Sequence, residues 1–105
     1  MNIFKIPSNL PDSELFEGII NSDCFRVERI ISTGQVSKNW YDQSEDEWVV
    51  LVQGEAKIEF DSGEEIPLFK GDELFIPAHQ RHRVTYTSTQ PVCIWICVFS
   101  KTNFI

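Results

Sequence analysis

Gly71 to Tyr86 reads GDELFIPAHQRHRVTY and holds both histidines of the chain, His79 and His82, three residues apart just after Pro77. From Asp72 to Ile76 polar and apolar residues alternate in a run rich in strand formers. Pro77 and Ala78 interrupt that run, and Arg83 to Thr87 resume an extended pattern. The spacing predicts a strand, a tight corner and a second strand with His82 at its mouth.

Flanking this stretch are two runs that are apolar on both faces, Trp48 to Val52 after Glu47, and Val92 to Phe99. An antiparallel barrel covers only one face of such a strand. The other cover would come from the N-terminal arm, a second sheet or a second subunit. Two such strands in 105 residues predict a homodimer, since one small core cannot hide both. Between the runs, Gly54 marks a turn, and Ala56, Ile58 and Phe60 alternate with Lys57 and Glu59. Asp61-Ser62-Gly63 turns the chain again, and Ile66, Leu68 and Phe69 lead to Gly71. Nearer the start, Phe25, Val27 and Arg29 alternate with Arg26, Glu28 and Ile30 after a turn at Asn21 to Asp23. Glu14 to Ile20 fits helical or extended spacing, and Gly18 and its short length favour a strand. Asn2 to Ile6 is read as a short strand ended by Pro7, within an arm spanning residues 1–13. Short strands with closely spaced turn signals indicate an all-β sandwich or barrel.

One domain spanning residues 1–105 is expected at this length. The net charge of −7 and the scattered basic residues argue against nucleic acid as a partner. No charged segment followed by an apolar one opens the chain, and no apolar run is long enough to cross a bilayer, so a cytoplasmic protein without membrane partners is expected. Cys24, Cys93 and Cys97 are odd in number and lack Cys-x-x-Cys spacing. They are read as reduced packing thiols.

Gly71, Pro77 and His82 resemble the second signature of the cupins, with His79 standing where those proteins usually have glycine and Tyr86 where they often have asparagine. Gly34, Glu47 and Gly54 resemble the first signature. The two together cover Gly34 to Tyr86. Where cupins normally carry His-x-His, this chain has Trp40-Tyr41-Asp42 or, with a gap of three residues instead of four, Tyr41-Asp42-Gln43. The resemblance implies a small jelly-roll barrel, a double-stranded β-helix, with Glu47 and His82 converging inside it.

A carboxylate and an imidazole make half of a site for Fe, Mn, Ni or Zn. The resemblance leaves the rest to Asp42 and His79, with Tyr41, Gln43 and Tyr86 as alternative ligands or pocket residues. Each has a plainer reading beside it. Glu47 follows Glu45 and Asp46 in what would otherwise be a solvated acidic turn, and His82 would be a hydrogen-bonded barrel-mouth histidine. His79 would be an exposed loop residue, Asp42 and Gln43 turn formers, and Tyr41 and Tyr86 rim aromatics. The resemblance implies a barrel that binds a divalent transition metal and a small molecule, the retained Glu47 and His82 with the added His79 favouring the metal. Two functions follow from it. One is a metal-dependent dioxygenase, isomerase or lyase acting on a small molecule; the other is a non-catalytic binding or sensing domain whose metal site has degenerated. A structural interaction module has only the doubly apolar strands behind it.

Overall fold

The computed structural model describes residues 1–102. Its strands are β1 (Leu15–Asn21), β2 (Phe25–Ser32), β3 (Asp46–Gln53), β4 (Ala56–Phe60), β5 (Glu65–Leu68), β6 (Glu73–Ile76), β7 (His82–Thr87) and β8 (Cys93–Ser100). They form an antiparallel five-stranded sheet in the order β1-β2-β8-β3-β6 and an antiparallel three-stranded sheet in the order β5-β4-β7. Strands far apart in sequence are neighbours in both, and the inner faces close on one core in the jelly-roll manner.

Alternation decides what enters that core. Val49 and Leu51 of β3 point inward, as do Ala56, Ile58 and Phe60 of β4 and Cys93, Trp95, Cys97 and Phe99 of β8. A fully buried aliphatic side chain such as Leu51 contributes about 1.5–3 kcal/mol relative to exposure. The turn after β3 needs Gly54. Its φ is +93°, and a Cβ there would lie 2.9 Å from the Cys93 Cα, so neither the conformation nor the space admits a side chain.

The outer face of the larger sheet is also apolar, as the doubly apolar runs require. Val27, Val98, Trp48 and Phe75 stand side by side across β2, β8, β3 and β6, all half-buried. Next to that row sits Arg29, a charged residue only 3% exposed. It also explains the one element that departs from expectation. Asn2 to Ile6 forms no strand, because the carbonyls of Asn2, Ile3 and Lys5 all accept hydrogen bonds from Arg29 Nη1, at 3.3, 3.1 and 2.7 Å. Glu17 holds the other side of the guanidinium at 2.6 Å. A buried cation without such partners would carry a large desolvation cost. The arm is therefore folded onto this charge instead of pairing with a strand. Among the described residues no helix is long and apolar enough to cross a membrane.

Candidate functional site

The two sheets enclose a cavity of about 320 Å³, within the range of small-molecule sites. Glu47 enters it from β3, paired across the sheet with Ile76 and Phe99, and His82 enters from the first position of β7. Both are buried, at 7% and 5% exposure. His82 Nε2 lies 3.9 Å from Glu47 Oε1, while His82 Nδ1 lies 2.9 Å from the Gln80 carbonyl. A carbonyl can only accept, so Nδ1 carries the hydrogen and Nε2 presents its lone pair toward Glu47. The imidazole is flanked by the Tyr41 and Phe60 rings, with centroids at 5.6 and 6.4 Å.

The loop before β3 is tied to the corner before β7 by main-chain bonds. Tyr41 N donates to His82 O, His82 N to Tyr41 O, and His79 N to Gln43 O. Asp46 adds a carboxylate that accepts from Ala78 N at 2.8 Å. An extended loop pinned in this way alternates its side chains. Tyr41 and Gln43 line the cavity, and Asp42 between them turns out to solvent. Gln43 Nε2 donates to Glu47 Oε1 at 3.0 Å. The inward pair is thus Tyr41-Asp42-Gln43 in the three-residue register.

Asp42 and His79, both expected to join Glu47 and His82, instead meet each other outside the cavity. His79 Nδ1 lies 2.9 Å from Asp42 Oδ1, with side chains 69% and 50% exposed. The cause is backbone geometry. His79 sits at φ +64°, the left-handed region that suits glycine at this corner and that histidine tolerates better than most residues. In that conformation its ring lies over the rim. Tyr86 is also outside, 45% exposed. An irregularity in the β4 to β7 register places Val84 opposite Ile58 but Tyr86 opposite Lys57, so one extra residue of β7 reverses the alternation.

Four cavity residues carry charge or reactivity that the spacing argument did not single out. Arg26 and Glu28 point inward from β2, Glu14 approaches from just before β1, and Cys97 faces in from β8. Inward charges on a strand were legible in the alternation of Arg26, Glu28 and Ile30. Arg26 is bound to Glu28 and, at 2.9 Å, to Glu45, and lies 3.9 Å over the Phe99 ring. Its hydrogen bond to Glu45 is the main reason its pKa is raised, partly opposed by burial. Glu14 Oε2 accepts from Ser32 Oγ at 2.6 Å, and Ser32 Oγ accepts from Trp95 Nε1 at 3.0 Å.

Burial pushes the Glu47 carboxyl above its ordinary value, while the Gln43 amide, His82 and Cys97 pull it partway back. Burial also pushes the Cys97 thiol well up, and the carboxylates of Glu47, Glu28 and Glu14 add to it. Cys97 is therefore a thiol in this setting and a poor nucleophile.

As a metal centre the donor set is incomplete. Glu47 and His82 are strong donors, whereas Tyr41 offers a phenol and Gln43 a neutral amide already turned toward Glu47. Among the described residues no group of three or more His, Cys, Asp or Glu side chains is placed to hold a metal ion. The residues present do not fit the four-ligand centre that Asp42, Glu47, His79 and His82 would have made.

A solved structure from Ralstonia eutropha JMP134 named a "putative mannose-6-phosphate isomerase" is 38% identical to this chain, covering 97% of each, with a TM-score of 0.89. A cupin superfamily protein from Desulfitobacterium hafniense DCB-2 is 21% identical over 90% of this chain and 83% of its own, with a TM-score of 0.76. KdgF from Halomonas sp. is 19% identical over 99% and 93%, also at 0.76. At these lower identities the last two bear on the fold alone. No curated protein matches the chain. The cupin domain model matches residues 27–99, from within β2 to within β8, and the chain belongs to that family.

Proposed function

We propose that this cupin binds a small molecule in the barrel cavity, on a polar floor made by Glu47, His82, Gln43 and Tyr41, and holds no divalent transition metal tightly. One observation carries this reading. The side chains at the His-x-His positions that face inward are Tyr41 and Gln43, while Asp42 and His79 bond each other on the rim. Two strong donors leave a metal exchangeable, because affinity in such sites comes from three or four ligands acting together. Protein purified without chelator should carry substoichiometric metal, and Zn, Mn, Fe, Co or Ni should shift its melting temperature little. Retention of stoichiometric metal would contradict the reading.

A second reading, a metal-dependent isomerase, dioxygenase or lyase, is favoured by the His82 Nε2 lone pair facing Glu47. The name of the Ralstonia structure agrees with the isomerase member of that set. When bound, such a metal would polarise a substrate carbonyl. Glu47, with its raised pKa, is the group here suited to hold or release a proton at its carboxyl.

The barrel is further proposed to pair with a second copy through the outer face of its larger sheet. The support is the apolar row Val27, Val98, Trp48 and Phe75, half-buried on that face and contiguous across four strands. Light scattering should give a dimer at micromolar concentration and a monomer for Val98→Lys. A monomeric parent protein would contradict this.

A further inference from the structure

We infer that the ligand of this cavity is an organic ammonium ion, a small primary amine in its protonated form with an apolar body. This rests on the reading of the cavity as a small-molecule site and names the ligand's chemical class.

The first ground is a pair of acceptors that face each other in the cavity. His82 Nδ1 is committed to the Gln80 carbonyl, so Nε2 offers a lone pair, and the nearest Glu47 oxygen is 3.9 Å away. That separation is too long for a hydrogen bond. Both groups are buried; Glu47 already accepts from Gln43, and its carboxylate has lone pairs for a further donor beside His82 Nε2. An ammonium group brings three N–H donors and a positive charge, and so can satisfy both at once.

The second ground is the charge of the walls. Glu14 and Glu28 face the same cavity as Glu47. Their proximity to a common point is visible at Cys97, whose thiol all three carboxylates act upon. Each carboxylate is held by a neighbour, Glu14 by Ser32, Glu28 by Arg26 and Glu47 by Gln43. Against them, among the described lining residues, stand the His82 imidazole and a single guanidinium or ammonium group, that of Arg26, which is already shared between Glu28 and Glu45. A phosphate or carboxylate entering here would meet several carboxylates and no free cation.

The third ground is the apolar wall. Phe16, Tyr41 and Trp95 offer aromatic surface to the cavity. Such surface attracts a cation's charged head and covers its hydrocarbon body.

The test is calorimetric titration of chelator-dialysed protein, at low ionic strength, with 2-phenylethylammonium, its neutral counterpart 2-phenylethanol, the anion 3-phenylpropanoate, and mannose 6-phosphate. The ammonium ion should bind about tenfold or more tighter than the alcohol. Neither anion should bind measurably at millimolar concentration. Glu28→Gln and Glu14→Gln, which keep the shape of each side chain, should each weaken the ammonium ion about threefold to tenfold while leaving the alcohol unchanged. An alcohol that matches the ammonium ion, or an anion that binds more tightly than it, would overturn the ammonium assignment and leave the binding cavity standing. Failure of all four probes would overturn both.

Discussion

The molecule contains two histidine–carboxylate pairs, and the looser one matters more. On the rim, His79 and Asp42 are 2.9 Å apart with side chains 69% and 50% exposed; inside, His82 and Glu47 are 3.9 Å apart with side chains 6% and 10% exposed. Distance alone would rank the rim pair first. Water reverses the ranking, because an exposed pair is screened and gains little, whereas a buried pair is screened much less. The rim pair is bonded to itself in solvent, whereas the buried pair faces the cavity.

The largest effect should come from removing the buried imidazole. His82→Ala would leave a void between Tyr41 and Phe60 and remove the imidazole from the cavity, with an expected loss of about 2–3 kcal/mol by urea denaturation. If His79→Ala cost as much, the contrast between the pairs would be broken.

Glu47→Gln should act in the opposite direction on stability. The buried carboxyl holds its proton more tightly in the folded chain than in the unfolded one. Its contribution is therefore fully present below the ordinary carboxylate range and is lost as pH rises through that range to the raised native value. The glutamine variant lacks this loss. At neutral pH it should be more stable by about 1 kcal/mol, a rise of roughly 4–8 °C in melting temperature, and its advantage should disappear in acid. A variant less stable than the parent at neutral pH would show that Glu47 is better compensated than its burial suggests.

The rim should respond weakly. His79→Gly relieves the left-handed backbone at φ +64° and gives up an exposed hydrogen bond to Asp42, for an expected net gain of about 0.5 kcal/mol. A double-mutant cycle on Asp42 and His79 should yield a coupling below about 0.5 kcal/mol that fades with salt. A larger, salt-insensitive coupling would mean that the corner depends on this pair.

The fold was legible because strand alternation and turn residues are local. The strand, corner and strand of Gly71 to Tyr86 appear as β6, the Pro77 to His79 turn and β7, and the doubly apolar runs appear as β3 and β8 at the middle of the larger sheet. Glu47 and His82 were placed by the cupin resemblance and do share one cavity. What the sequence did not disclose depends on long-range constraints. The direction of Asp42 depends on main-chain bonds of Tyr41 and Gln43 with His82 and His79, distant in sequence, and that of His79 on one positive φ. Tyr86 is reversed by a single irregularity in strand pairing. The arm's lost strand follows from Arg29, whose burial no local pattern signals. Cys97 looked like packing, and it is buried, but it lies among three carboxylates on the cavity wall.

The central claim is that positions 41 and 43 face the cavity and that their side chains leave the metal centre unfinished. It is tested most directly by installing Tyr41→His and Gln43→His together and measuring metal content after purification without chelator. The account predicts about one divalent transition metal per chain in the double variant and much less in the parent, with Asp42→His gaining nothing. A parent protein that already holds a full complement, or a double variant that still holds none, would contradict it.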